Sequence, residues 1–210
     1  MGALKGSVTV RRFLIKGPEP NDRNRLMKGI RAHALVPIDP RGDVERSHGW
    51  AALEDLHDLD LSSEKVFFGE ALALALRVDT LRPPGAVVKR MVEEGLKALG
   101  RRPTKAEKRA YKAEVVKKLR LQAFPSIRGT DLVWNLDTGR VLFWSHSRRL
   151  TDLLLDLFKK SFGLELVADG PGQLTKRAGL STAPLAPTAE MVLGFPGLPG
   201  RPADMEDADA

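Results

Sequence analysis

Lys105, Lys108, Arg109 and Lys112 recur at i, i+3, i+4 and i+7, with Arg120 eight residues beyond and Lys117 and Lys118 alongside. On a helix this spacing puts the first four cations on one face, a surface able to track a phosphate backbone. They belong to a wider excess. Residues 82–128 hold fourteen Lys/Arg against four Glu, a balance of +10 in a chain whose total is +7. Lys89, Arg90, Arg101, Arg102 and Arg128 complete the candidate contact set. Each neutralised phosphate releases a condensed counterion, so about six contacts would weaken binding roughly 10³-fold between about 50 and 200 mM salt. No recognition-helix pattern, zinc finger or RNP-type aromatic motif accompanies the cations, so nucleic acid would be held without sequence preference. The plainer reading of the stripe is a solvated helix face. An acidic protein partner or RNA would also suit it.

Bond chemistry has weaker support. The chain has no cysteine, which excludes thiol nucleophiles, disulfides and cysteine-based metal sites. His33, His48, His57 and His146 show no metal-ligand spacing. Asp131, Asp137, Glu70 and Asp79 lie on two strand-like segments and could imitate a Mg²⁺-dependent nuclease centre. Asp137 is, however, what a tight turn requires, and no spacing constrains the other three. There is no P-loop, GxGxxG or GxSxG. The expectation is therefore a binding protein with no catalytic residue, metal or cofactor. Trp134, Phe143 and Trp144 could stack on unpaired bases, but alternation assigns the first two to the core and leaves Trp144 on the opposite face.

The elements that must position these residues are legible in outline. Residues 7–15 (SVTVRRFLI) read as a strand, and Asp22 caps a helix reaching about Ala34. Residues 36–47 read as a loop, with a short segment from Gly49-Trp50 to about Asp60. Residues 65–79 are expected to be strand after Gly69, although their Ala/Leu content also suits a helix. Pro83-Pro84 opens a helix with an apolar stripe of Val88, Met91, Val92, Gly95, Leu96 and Leu99, closed by Gly100. Thr104 and Glu107 form a capping box for a second helix to about Ala123. Residues 130–146 are a β-hairpin turning at Asp137-Thr138-Gly139-Arg140. Ser147 caps a helix bearing Leu150, Leu153, Leu154, Leu157 and Phe158, which stops at Gly163 before a final strand over 164–168. Six prolines and five glycines fall in residues 171–210, which read as a disordered tail. No apolar run approaches the ~20 residues of a membrane span. No signal peptide is visible either, so a cytoplasmic location is expected.

The order of the segments RPTKAEKRAYKAEVVKKLRLQAFPSIRG, TDLVWNLDTGRVLFWSHS and RRLTDLLLDLFKKSFG, preceded by Gly49-Trp50, resembles the central part of the RdgC family. The likeness spans roughly residues 45–170, with weaker support over 6–35. It implies an α+β fold: an antiparallel sheet with packed helices over 1–81 and 129–170, and a projecting basic helical hairpin over 82–128. It further implies a nucleoid-associated homodimer that binds duplex and single-stranded DNA and limits access of a RecA-type recombinase. Phe124, after Ala123, matches the position through which the family's hairpin tip meets its dimer mate; ordinary packing beneath the hairpin is the alternative. Two departures stand out. Gln122 replaces the basic residue that commonly precedes Ala-Phe, with Arg120 close by. The family's C-terminal segment, which builds the base of a ring, has only the Pro/Gly-rich tail opposite it. A closed ring, an open dimer joined at the tips, a monomer and a truncated member all stay open.

Overall fold

A computed structural model describes residue 3 and residues 9–17, 22–98 and 101–180. β1 (Arg11–Lys16) is the first strand among the described residues; residues 7 and 8 of the expected strand lie outside them. The Asp22 carboxylate accepts from the backbone N–H groups of Asn24 and Arg25, and this cap starts α1 (Arg23–Ala32), which buries Leu26, Met27 and Ile30. β2 (Arg46–Ala51) corrects the expected loop boundary, for Gly49-Trp50 lies within a strand. α2 (Ser63–Val66) and β3 (Phe67–Phe68) follow, then Gly69 at φ +60° turns the chain into β4 (Ala71–Thr80). Residues 72–79 of β4 are buried throughout. Cover on both faces explains why its sequence lacks the alternation of a half-exposed strand, and tertiary pairing overrides its helical propensity.

α3 (Gly85–Lys97) and α4 (Lys105–Gln122) come next, followed by β5 (Ser126–Asn135) and β6 (Arg140–Phe143). The expected C-cap of α3, Gly100, lies outside the described residues. The Asn135 side chain accepts from the Thr138 N–H at 2.8 Å and Gly139 takes φ +62°, which closes the hairpin turn. Ser147 caps α5 (Arg148–Phe162), Gly163 ends it at φ +72°, and β7 (Glu165–Ala168) follows. α6 (Pro171–Arg177) corrects the start of the expected irregular tail: Pro at its first turn lacks only an N–H that a helix leaves unused there. Residues 181–210 of that tail lie outside the described residues.

The fold is α+β. Its seven-stranded sheet runs β2-β4-β5-β6-β1-β7, with β3 also paired to β4. The β2/β4, β3/β4, β4/β5, β5/β6 and β1/β6 pairs are antiparallel. Leu72, Leu74, Leu132, Trp134, Val141 and Phe143 form one core with Leu154, Leu157 and Phe158 of α5 and the apolar side of α1. Trp134 sits edge-on to Phe162 at 5.4 Å and tilted against Phe158 at 5.2 Å. Trp134 and Phe143 are thus core, as the alternation implied, and Trp144 is half-buried.

The Gly-Trp pair has a physical account. Trp50 donates its indole N–H to Ser161 Oγ at 2.7 Å, while the 34–35 backbone passes so close that a methyl group at Gly49 would lie 2.6 Å from the Leu35 nitrogen. Among the described residues, those up to Val167, hairpin included, form one compact unit, and residues 168–180 fall in a second.

Candidate nucleic-acid interface

The hairpin is held by close contact and by its caps. Tyr111 of α4 lies where a side chain on Gly95 of α3 would be, with its hydroxyl 1.9 Å from a methyl placed there, so glycine lets the helices meet. Of the apolar stripe on α3, Val88 is buried and Met91, Val92 and Leu96 are half-buried. At the start of α4 the Thr104 hydroxyl accepts from the Glu107 N–H at 3.2 Å, and the Glu107 carboxylate accepts from the Thr104 N–H at 2.8 Å. Arg101 adds two hydrogen bonds to the same carboxylate, at 2.5 and 3.1 Å. Together the Arg101 guanidinium and the Thr104 donors hold Glu107 at a pKa of about 2, below its ordinary 4.5. A depressed carboxyl stabilises the fold above its unfolded pKa and loses that effect as pH falls through the folded value. The helicity advantage of the wild type over Glu107→Gln should therefore be complete above pH 4.5 and fade towards about 2. Circular dichroism against pH checks this, and Thr104→Ala should cost about 1 kcal/mol.

Lys105, Lys108, Arg109, Lys112, Lys117 and Lys118 of α4, with Arg102 before it, are exposed. Among the described residues none of them is in an ion pair. Other candidates are neutralised locally: Arg90 pairs with Glu94 at 2.8 Å, Lys89 with Glu93 at 3.9 Å, and Arg101 with Glu107. Lys108 and Lys112 line a cleft of about 690 Å³ between the helices, over Val88, Val92 and Leu96, with Arg82 and Glu45 also on its lining.

Arg120 is a correction. Only 6% exposed, it donates to the carbonyls of Val44 at 2.8 Å and Asp43 at 3.5 Å. The face that carries Lys105 to Lys112 continues into Val116, Leu119 and Arg120, and at this end it turns inward: Val115 is buried and Val116 and Leu119 are half-buried. Arg120 therefore anchors α4 and is not part of the exposed stripe. Phe124 is 94% exposed just beyond α4, so it does not pack beneath the hairpin. Arg128 belongs to β5, on a sheet cleft with Arg46, Arg82 and Arg149. Sequence reasoning missed this grouping, because the four residues come from separate segments and share no periodicity.

The four carboxylates do not converge. Asp79 is 1% exposed and takes both oxygens to Arg77 at 2.7 Å, while Arg77 also donates to the Leu56 carbonyl. Asp131 accepts from the Ala3 N–H at 2.5 Å, and burial pushes its carboxyl up. In the sheet Asp131 pairs with Ala75, four residues from Asp79, which is about 13 Å along the strand. Glu70 is exposed beside Arg23, and Asp137 is exposed in the hairpin turn. Among the described residues no three His, Asp or Glu side chains cluster as a metal site, and no helix is long and apolar enough to cross a membrane.

Residues 11–171 match the family model RdgC, described as "Putative exonuclease, RdgC". No curated protein matches the chain.

Proposed function

The chain belongs to the recombination-associated RdgC family, and from that premise we propose that it binds DNA without sequence preference through α4 and limits the access of a RecA-type recombinase. The observation that carries this is the row of exposed cations, Lys105, Lys108, Arg109 and Lys112, without a carboxylate partner among the described residues. Exposed like charges held on one rigid face repel one another, and a polyanion laid along them removes the repulsion while its own counterions are released. Lys117, Lys118 and Arg102 extend the contact. Phe124 lies between the end of α4 and β5, at the base of the hairpin and not at its tip as the resemblance implied; its exposure supports a second part of the proposal, a homodimer joined at that base. The protein acts in the cytoplasm on the nucleoid, by occupancy, with no cofactor and no bond cleaved.

Salt titration tests the electrostatic claim. With about six phosphates neutralised, log K should fall against log salt with a slope of about −5. An apolar interface with an acidic protein would give a much shallower dependence, and a flat line would overturn the proposal. Competition between duplex DNA and duplex RNA of equal length separates the two nucleic acids. End-labelled duplex incubated with protein and Mg²⁺ should keep its length, and shortening would reverse the non-catalytic reading.

A further inference from the structure

We propose that the cleft between the first turn of α5 and the ends of β2, β4 and β5 is a second, separate phosphate-binding site, built by Arg46, Arg82, Arg128 and Arg149. The sheet register makes the floor. Arg46 of β2 lies opposite Thr80 of β4, which lies opposite Ser126 of β5, so the three share a row. Two residues along, Val78 pairs with Arg128, and period-two alternation keeps that row on the same face. Ser147 and Arg149 of α5 line the cleft opposite, Arg82 and Glu45 complete its lining, and it encloses about 810 Å³.

Three observations make this a site for an anion. Among the described residues none of the four arginines is in an ion pair; Glu45 is within 4 Å of none of their nitrogens, nor is Asp152, which lines the adjoining hollow with Arg46, Arg148 and Arg149. The Arg46 Nε is shielded from solvent and meets no acceptor, a condition that costs free energy until something accepts from it. Burial and the neighbouring Arg149 charge both lower its pKa, as like charges held close together do. Finally, α5 has no acidic residue in its first turn and carries Arg148 and Arg149 there. The positive end of a helix dipole disfavours cations, and a bound anion converts that conflict into attraction.

The chemistry selects phosphate. Guanidinium forks match its oxygens, and the hydroxyls of Thr80, Ser126 and Ser147 are available to donate. Glu45 and Arg82 also line the hairpin cleft, so the two clefts adjoin, and the phosphate is one carried on a strand that reaches both. In assigning that strand to DNA the inference rests on the function proposed above; the existence of the anion site does not.

Titration calorimetry of the full chain with inorganic pyrophosphate at low salt is the first test. Saturable binding is expected, and Arg149→Gln, a change at an exposed position, should weaken it about tenfold, as loss of one charge-assisted contact implies. Charge reversal on α4 should leave pyrophosphate affinity nearly unchanged while removing duplex binding, so failure here and failure of the hairpin reading are distinguishable. No saturation, or equal affinity in Arg149→Gln, would overturn the site. Oligonucleotides with and without a 5′-phosphate then identify the source. A terminal phosphate makes the phosphorylated strand alone sensitive to Arg149→Gln, whereas a backbone phosphate makes both sensitive. If neither responds, no strand uses the cleft.

Discussion

Replacing Lys105, Lys108, Arg109 and Lys112 together by Glu should abolish the DNA shift at low salt while the circular dichroism spectrum stays that of the wild type. The four side chains are exposed and hold no carboxylate partner among the described residues, so their removal leaves no buried group unpaired. Glu is as good a helix former as Lys or Arg, and at position 105, the first of α4, it suits the helix dipole better. Four lost phosphate contacts lower the salt slope by about 4, and added repulsion takes the loss at about 50 mM salt beyond roughly 10³-fold. The matching Gln variants separate lost attraction from added repulsion and should fall in between. Undiminished affinity in the Glu variant would remove α4 from the interface. Arg120→Ala should behave differently. It unfastens α4 from the Asp43 and Val44 carbonyls and so should lower stability more than it lowers the salt slope.

Asp79→Ala should destabilise the chain by about 3–5 kcal/mol, because it strands the Arg77 charge in the interior. Arg77 is 5% exposed and Asp79 1%, with two hydrogen bonds of 2.7 Å between them. The loop that covers them is close: a methyl group at Gly129 would meet the Leu56 side chain at 2.4 Å, so water has little room to solvate a lone guanidinium. Urea unfolding gives the value, and replacing both partners by apolar residues (Arg77→Met with Asp79→Leu) should recover most of it. If Asp79→Ala unfolds with the wild-type free energy, the pair is not a structural one.

Elements governed by neighbours in the chain were readable. Ser147 and Gly163 bracket α5, Thr104 and Glu107 open α4, and Asp137 to Arg140 turn the hairpin, because caps and turns are satisfied within a few residues. Trp134 and Phe143 could be assigned to the core because strand alternation is also local. β2 reads partly as loop because residues 36–47 are rich in Pro, Asp and Gly, and nothing local shows that Gly49 serves a close pass of the 34–35 backbone. β4 was ambiguous because burial on both faces erases the pattern that distinguishes a strand.

For the interface the division is sharper. The concentration of cations on α4, and their helical spacing, follow from residue order alone, since 3.6 residues per turn converts sequence into a face. Which part of that face meets solvent does not. The stripe reads as continuous to Arg120, yet the last turns of α4 press against the body and bury it. Likewise Arg46 and Arg149 are 103 residues apart in the chain and become neighbours only when β2 pairs with β4 and α5 packs over the sheet. Local geometry is encoded where the partners are adjacent; exposure and convergence depend on contacts between distant segments, which only the folded chain brings together.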